Sequence, residues 1–217
     1  MTGDDVFDAG LAQGLVWQPA LGMGFYPVRL EDEPYRNGHA QAYWNKYVEY
    51  ARTPLGVALT EARVDLVRNW AGGPVVDVGI GCGAFIEAVY AAGGEAFGCD
   101  VSPVAMKWLH ERGLWRSPWE GPVAAVTLWD VLEHLPDPAA MLSNVREWVF
   151  VSLPVFEDPA GLLTSKHFRS DEHRWYWSAD GLVRWMGAQG FECAEHDERE
   201  TVLGREDIHT FAFRRVA

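Results

Sequence analysis

The stretch Val-Val-Asp-Val-Gly-Ile-Gly-Cys-Gly-Ala at residues 75–84 decides the fold. A short apolar run ends in three alternating glycines and leads into a second apolar stretch of helical character at 85–89. This pattern predicts a buried parallel strand that turns tightly into a helix. Glycine permits positive φ angles and lets a ligand approach the backbone closely, while the start of the helix offers free N–H groups. We therefore expect a nucleotide-like ligand at this turn.

Two interpretations of the turn compete. The pattern Gly-x-Gly-x-x-Ala at 79–84 fits a dinucleotide-binding fingerprint, and Asp100 follows about 20 residues later, where an acid would bind a ribose hydroxyl. Two details disfavour a nicotinamide cofactor. Asp77 lies inside the strand, where an unpaired carboxylate is costly to bury, so we expect it to meet a ligand amine or backbone N–H groups. Gly83 extends the loop to Gly-x-Gly-x-Gly, a wide cradle that need not surround a pyrophosphate.

Three segments carry a family resemblance. Residues 76–83 (Val-Asp-Val-Gly-Ile-Gly-Cys-Gly), 98–102 (Gly-Cys-Asp-Val-Ser) and 128–135 (Leu-Trp-Asp-Val-Leu-Glu-His-Leu) resemble successive motifs of class I S-adenosylmethionine-dependent methyltransferases. The resemblance is strongest to the small-molecule branch that includes the ubiquinone-biosynthesis O-methyltransferases, and it runs from about residue 40 to the C-terminus. It implies S-adenosylmethionine as the cofactor and a small-molecule methyl acceptor as the partner.

The resemblance also implies roles for individual residues. The loop 79–83 would cradle the amino-acid part of the cofactor, Asp100 would accept both ribose hydroxyls, and Val101 would cover the adenine together with a residue from 115–119. An aromatic helix predicted at 39–50 would form part of a lid, although its aromatic spacing fits a packed helix face equally well. The expected cofactor contacts are Asp77, Gly79, Ile80, Gly81, Gly83, Asp100, Val101, Asp130 and Tyr43.

Strands and helices alternate along the chain. Apolar runs predict strands at 74–79, 96–99, 123–129, 148–153, 191–195 and 208–214, with a further short or irregular strand at 114–121, where Pro118 and Gly121 interrupt the pattern. We predict a single Rossmann-like, doubly wound α/β domain at 39–217, beginning with lid helices at 39–72. Its mostly parallel seven-stranded sheet would end in a C-terminal antiparallel hairpin and carry helices on both faces. Residues 1–38, rich in Gly, Asp and Pro, are expected to form an irregular extension.

An ionisable pair follows the strand predicted at 123–129. Glu133 and His134 are the candidate catalytic residues, since a neutral histidine can take a proton from a substrate hydroxyl or amine as the methyl group moves. Two other roles for His134 stay open: a pocket contact, or a structural residue bonded to a loop carbonyl while Glu133 pairs with an arginine. Asp130 likewise either lines the pocket or caps the turn after the strand.

A basic and aromatic cluster occupies residues 165–177. It contains Lys166, His167, His173 and Trp175, which we interpret as substrate-binding residues because cations and stacking rings suit an acidic or aromatic molecule. The alternative is a loop held to the body by its own tryptophans. A metal site from His134, His167, Asp171 and His173 is chemically feasible, but no close ligand spacing supports it. We therefore predict no metal.

Composition narrows the function further. The 217 residues are 48% hydrophobic with a net charge of −13, so a phosphate backbone would be repelled and nucleic acid is a poor substrate. No apolar run approaches the length of a membrane span, and the acidic N-terminus does not resemble a signal peptide, so we expect a cytoplasmic protein. The three cysteines, Cys82, Cys99 and Cys193, are expected to be reduced packing residues.

These observations predict a methyltransferase that passes a methyl group from S-adenosylmethionine to a small molecule by direct displacement. Two alternatives belong to other classes. One is a non-catalytic S-adenosylmethionine-binding module that acts as a partner or regulator, and the other is an NAD-dependent oxidoreductase. The identity of the acceptor, its reacting atom and the oligomeric state do not follow from the sequence.

Overall fold

The fold is described from a computed structural model that covers residues 7–8, 14–25, 39–169 and 172–216. Ten strands follow one another in the chain, and the structure describes them as β1 (Phe7–Asp8), β2 (Val16–Gln18), β3 (Met23–Phe25), β4 (Val75–Val78), β5 (Ala96–Cys99), β6 (Val123–Trp129), β7 (Val145–Pro154), β8 (Trp175–Trp177), β9 (Phe191–Asp197) and β10 (Ile208–Arg215). Eight α-helices separate them in the described residues, namely α1 (Ala40–Ala51), α2 (Pro54–Trp70), α3 (Ala84–Ala91), α4 (Pro103–Arg112), α5 (Pro138–Leu142), α6 (Pro159–Thr164), α7 (Ala179–Ala188) and α8 (Arg199–Val202).

Several helices begin where a capping residue satisfies their free N–H groups. The Thr53 hydroxyl accepts a hydrogen bond from the Gly56 N–H at 3.0 Å, and Pro54 occupies the first turn of α2. Ser178 accepts in the same way from the Gly181 N–H at 3.0 Å at the start of α7. Ser102 holds the corresponding position before α4, but its side chain makes no capping bond. Local sequence therefore sets most of these helix starts.

The main sheet has the strand order β5-β4-β6-β7-β10-β9. Strand β4 pairs in parallel with β5 and β6, β6 pairs in parallel with β7, and β10 runs antiparallel to both β7 and β9. The α/β class and the mostly parallel sheet are confirmed. The ends of β4, β5 and β6 lie side by side, so residues that follow them share one edge of the sheet.

The strand count of the predicted sheet is wrong for the described residues. The sheet has six strands rather than seven, because segment 114–121 contributes only a single bridge between Gly98 and Trp115 before Pro118 and Gly121 interrupt it. Strands β9 and β10 do pair antiparallel, but residues 198–207, which include α8, join them. The connection between these two strands is therefore longer than a tight hairpin turn, and it carries Glu200 and Arg205.

The core lies on both faces of the sheet. Val76, Val126 and Val149 belong to one buried apolar cluster, whereas their neighbours Ala125 and Phe150 belong to the cluster on the opposite face. This alternation explains the near-continuous apolar runs of the parallel strands, which are covered by helices on both sides. Among the described residues, no helix combines the length and the apolarity needed to cross a bilayer. The predicted cytoplasmic location is not tested.

Part of the N-terminal segment is regular, which corrects the expectation of irregular structure. Strands β1, β2 and β3 form a small antiparallel sheet with β8 in the order β1-β2-β3-β8. Trp17 is 2% exposed, and the Ser178 N–H donates to the Gly22 carbonyl at 2.8 Å. Strand β8, which pairs with β3, lies some 150 residues away from it in the chain. The local sequence of these two- and three-residue strands therefore carries no signal of this pairing. The domain boundary placed at residue 38 stays a prediction.

Candidate functional site

The glycine loop follows β4 at the carboxyl edge of the sheet. Gly79, Gly81 and Gly83 have φ angles of +75°, +57° and +81°, a region that other residues rarely adopt. A Cβ on Gly79 would lie 2.6 Å from Val131, and one on Gly83 would lie 2.8 Å from Trp108. The loop therefore needs glycine for both backbone conformation and space. The Gly79 and Gly83 N–H groups donate to the Cys99 and Ile80 carbonyls at 2.8 Å, and those of Ile80 and Gly81 donate to Asp100, so these bonds stabilise the turn itself.

Helix α1 covers this loop through its aromatic face. The Tyr47 ring lies 3.4 Å from the position of a Cβ on Gly81, and its hydroxyl is bonded to that of Tyr43 at 2.9 Å. Burial raises the pKa of Tyr47, so its phenol is neutral at physiological pH. Tyr47 is the residue placed against the loop, with the predicted contact Tyr43 behind it. The assignment of Tyr43 to the cofactor site stays a prediction.

Asp77 is fully enclosed within β4, with 1% of its surface exposed. Its carboxylate accepts a hydrogen bond from the Thr127 hydroxyl on the neighbouring strand β6 at 2.6 Å. Burial raises the pKa of Asp77 to about 7, against the opposing effects of Thr127 and Arg63. The donor is thus a side chain on an adjacent strand, whereas the sequence led us to expect a ligand amine or backbone N–H groups.

Asp100 ends β5, one strand over from the glycine loop. Its carboxylate accepts from the Ser102 N–H at 2.7 Å and is further stabilised by backbone N–H groups of Ile80, Gly81 and Val101. Burial nevertheless raises the pKa of Asp100 to about 6. The carboxylate therefore joins the two turns at the carboxyl edge, and the neighbouring Val101 is 53% exposed at the mouth of the crevice.

Asp130 ends β6 in a left-handed conformation with φ of +57°. Arg205 binds it with two nitrogens at 2.8 and 2.9 Å, and Arg63 approaches it at 3.5 Å. Both arginines also bind Glu200, a fully buried residue on α8, at 2.6 and 2.7 Å. Burial alone would raise the pKa of Asp130, but Arg205 outweighs it and leaves that pKa below its ordinary value. Asp130 thus already has protein partners, and its role as a cofactor contact stays a prediction.

Sequence reasoning missed the residues of this ion-pair network. Arg63 and Glu200 are 137 positions apart, and Arg205 reaches Asp130 across 75 positions. No local motif marks them, and a lone arginine in a surface-like sequence is indistinguishable from a solvated charge. Only the packing of α8 over the sheet edge identifies them.

The pair Glu133–His134 forms a short 3-10 turn after β6, at Leu132–His134. Glu133 is 1% exposed, and neither of its carboxylate oxygens has a hydrogen-bond partner among the described residues. Burial and the nearby Asp130 raise the pKa of Glu133 well above its ordinary value. The His134 Nδ1 is 3.0 Å from the Glu172 carbonyl, and burial lowers the pKa of His134. The His134 imidazole is therefore neutral at physiological pH.

His173 comes from the predicted substrate-binding segment and meets His134 here. The two imidazole centroids are 4.6 Å apart and the rings are nearly perpendicular. Burial, followed by His134, lowers the pKa of His173 to about 3, so its ring is also neutral. Ligand atoms of Glu133, His134 and His173 all lie within 4.8 Å of one another, so the three could hold a metal ion. The prediction of no metal is not tested by this geometry.

The other predicted substrate-binding residues have protein partners elsewhere. Lys166 pairs with the Glu206 carboxylate at 2.8 Å, and the His167 ring bonds to the Glu206 carbonyl at 2.9 Å. The Trp175 indole donates to the Leu135 carbonyl at 2.9 Å from within β8. Asp171, considered as a metal ligand, lies outside the described residues. Of this segment, the structure brings His173 to His134, and substrate roles for the rest stay predictions.

The sequence of this chain was compared with protein-family models and with known proteins. A family model described as a methyltransferase domain matches residues 47–196, more than half of the chain. The ubiquinone biosynthesis O-methyltransferase of Methylococcus capsulatus is 32% identical over 124 residues, which cover 48% of this chain and 51% of that protein. The chain thus spans about half the length of this curated relative.

Solved structures share the fold at low identity. Magnesium protoporphyrin IX methyltransferase (ChlM) from Synechocystis PCC 6803, with bound SAH, superposes with a TM-score of 0.57 at 15% identity, over 83% of this chain and 96% of that chain. The [4+2]-cyclase SpnF superposes with a TM-score of 0.52 at 14% identity, over 72% of this chain and 79% of that chain. Such identities establish the fold alone, and a cyclase among these neighbours illustrates that the fold does not determine the reaction.

Proposed function

Because the chain belongs to the family of methyltransferase domains, we propose that it transfers a methyl group from S-adenosylmethionine to a small-molecule acceptor. The observation that carries the proposal is the pairing of the glycine loop with Asp100 at adjacent carboxyl ends of β4 and β5. The family model spans both turns and the Glu133–His134 pair. This agreement favours methyl transfer over an NAD-dependent oxidoreductase.

The residues at this edge fit the chemical groups of the cofactor. The Gly79 and Gly83 N–H groups already donate to the Cys99 and Ile80 carbonyls at 2.8 Å, so the positive end of α3, rather than the loop N–H groups, suits the cofactor carboxylate. Asp100 offers carboxylate oxygens to the ribose hydroxyls, and Val101 offers an exposed apolar surface to the adenine. Asp77 supplies a negative charge beneath the loop that complements the cofactor ammonium and sulfonium. When bound, S-adenosylmethionine supplies a methyl group on a sulfonium, which a well-placed acceptor atom displaces directly.

His134 is suited to take the proton that the acceptor loses. Its Nδ1 faces the Glu172 carbonyl, an acceptor only, so Nδ1 carries the hydrogen and Nε2 carries the lone pair. The lowered pKa of His134 keeps that lone pair free at neutral pH. In this role Nε2 removes a hydroxyl or amine proton as the acceptor forms its bond to the methyl carbon, and the imidazolium passes the proton to solvent. Because the Methylococcus capsulatus relative is named as an O-methyltransferase, hydroxyl acceptors are the first to screen.

Calorimetric titration with S-adenosylmethionine, S-adenosylhomocysteine and NAD tests the cofactor. We expect micromolar binding of the first two and at least tenfold weaker binding by Asp100→Asn. Asp158→Asn is the matched control, since Asp158 caps α6 by accepting from Gly161 and asparagine caps equally well. Binding of NAD alone, or an unchanged affinity in Asp100→Asn, contradicts the proposed site.

A second measurement separates an enzyme from a binding module. Release of S-adenosylhomocysteine is followed by mass spectrometry across a panel of phenols, carboxylic acids and amines. Turnover with one class, reduced about 100-fold in His134→Gln while cofactor affinity is retained, supports a base at this position. Cofactor binding with no turnover on any class favours the non-catalytic module, and unchanged turnover in His134→Gln assigns the histidine a structural role.

A further inference from the structure

We propose that Glu133, His134 and His173 together bind one divalent transition-metal ion of the zinc type. Their ligand atoms lie within 4.8 Å of one another, one from a carboxylate and two from imidazole rings. The first two residues sit on the turn after β6, and the third arrives about 40 positions later from the segment before β8. The prediction of no metal rests on the lack of close ligand spacing among His134, His167, Asp171 and His173, a set that does not include Glu133.

The main observation is the unmet hydrogen bonding of two of the three side chains, Glu133 and His173. Both oxygens of Glu133 and the Nδ1 of His173 lack a partner among the described residues, although these residues are 1% and 5% exposed. A buried polar atom without a partner costs about 1–3 kcal/mol. One proton on Glu133 can satisfy a single neighbour, whereas a metal ion accepts electron pairs from all three residues at once. A shared cation therefore accounts for the arrangement better than separate protonation.

The surrounding backbone holds the ligands in place. The Glu172 carbonyl fixes the His134 tautomer that leaves Nε2 as the electron-pair donor, an outer contact typical of metal-binding histidines. The Arg174 N–H donates to the Glu133 carbonyl at 2.8 Å, and the His173 N–H donates to the Arg169 carbonyl at 2.7 Å. The bond from Arg174 to Glu133 ties the His173 segment to the turn that carries the other two ligands, and the bond from His173 to Arg169 holds the segment itself. The site is therefore positioned by backbone contacts on both sides.

The ligand set selects the kind of metal. Two imidazole nitrogens and one carboxylate oxygen suit Zn²⁺, Co²⁺ or Fe²⁺ better than Mg²⁺ or Ca²⁺, which prefer oxygen ligands. Asp130, an acid on the same loop after β6, is already bound by Arg205 and is not counted as a fourth ligand. Three protein ligands leave a coordination position open. The metal then holds the lone pair of His134 Nε2, so this site replaces the base role of His134 in the proposed function. If methyl transfer holds, the open position would take the acceptor hydroxyl and lower its pKa, so that its proton passes to solvent more easily.

The test uses the metal alone, which keeps it independent of methyl transfer. The full chain is stripped with chelator and titrated with Zn²⁺ by calorimetry, and with Co²⁺ while its visible absorption bands are recorded. We expect one equivalent bound at micromolar or lower Kd, with Co²⁺ bands in the range of four- or five-coordinate sites. Glu133→Gln and His173→Gln should each weaken binding at least tenfold. His209→Gln is the matched control, since His209 belongs to a separate pair with His196 at 2.9 Å.

Each outcome decides the proposal. Loss in the two ligand variants with no change in His209→Gln supports the site. Absence of stoichiometric binding, or binding that is weakened by His209→Gln instead, overturns it. Circular dichroism and S-adenosylhomocysteine titration of every variant check that the fold is intact. A chain that binds cofactor but no metal refutes this inference and leaves the proposed function standing, whereas metal binding without cofactor binding does the reverse.

Discussion

Replacing Asp77 with asparagine should stabilise the ligand-free protein at alkaline pH while impairing cofactor binding. The Asp77 carboxylate is 1% exposed and receives one hydrogen bond, from Thr127 at 2.6 Å. Burial raises its pKa from 3.8 to about 7. That difference corresponds to roughly 4 kcal/mol of unfavourable free energy in the folded state when the group is ionised. Asparagine removes the charge but leaves a buried amide N–H₂ without an acceptor, at a cost of about 2 kcal/mol.

The sign of the pH dependence follows from these values. Above pH 7 the carboxylate is ionised in both folded and unfolded chains, and the folded state bears the full cost. Between pH 7 and 3.8 the folded chain binds the proton first, so stability from this group rises as the pH falls. We expect Asp77→Asn to be about 2 kcal/mol more stable than the native chain at pH 8, and the advantage to disappear near pH 5.

Urea unfolding followed by tryptophan fluorescence, at pH 8 and at pH 5, measures both free energies of unfolding. Thr127→Val is the control, because it removes the hydroxyl donor and should destabilise the ionised carboxylate at pH 8. In Asp77→Asn the Thr127→Val change should cost less, since no charge remains. If the difference in free energy of unfolding between Asp77→Asn and the native chain is the same at pH 8 and at pH 5, burial of an ionised Asp77 is refuted. Cofactor titration of the same variant should show weakened binding if Asp77 serves the proposed function.

Three further predictions concern the rest of the site. Glu200→Gln should lower the free energy of unfolding by roughly 3 kcal/mol, because it leaves two partly buried arginines sharing Asp130. Glu111→Gln, in the exposed pair with Lys107, should cost below about 1 kcal/mol, and denaturant titration compares the two variants. Gly83→Ala should destabilise the protein by about 3 kcal/mol, because the added Cβ meets Trp108 at 2.8 Å. Gly93→Ala has a similar φ of +80°, but its Cβ meets nothing within 4 Å, so it should cost about 1 kcal/mol. Equal losses in the two variants would exclude the steric explanation. The affinity for S-adenosylhomocysteine should fall up to tenfold between pH 7 and pH 5, because Asp100, with a pKa of about 6, takes up a proton in this range. In calorimetry, Asp100→Asn should remove this pH dependence.

Much of the fold was accessible from local pattern. The apolar runs located the strands of the main sheet, and Thr53-Pro54 and Ser178 marked the starts of α2 and α7. These features depend on interactions between residues close in sequence, so short windows contain the information. The strand expected at 114–121 shrank to one bridge because proline and glycine remove the donor and the side chain that pairing needs. The small sheet of β1, β2, β3 and β8 escaped prediction because its strands are only two or three residues long and β3 pairs with β8 some 150 residues later.

For the candidate site, the sequence by itself located the glycine loop, Asp100 and the Glu133–His134 pair, because each follows a strand whose end must lie at one edge of a parallel sheet. It also located Asp77, which lies inside the first of these strands. Only the tertiary structure decided what these residues meet. It placed Thr127 on Asp77, Arg205 on Asp130 and His173 beside His134, contacts that join positions 50, 75 and 39 residues apart. Side chains so distant in sequence come together only when helices and loops close over the sheet, and burial then sets their pKa values. The local sequence therefore identifies the candidate site residues, and the packing of the fold sets their contacts and pKa values.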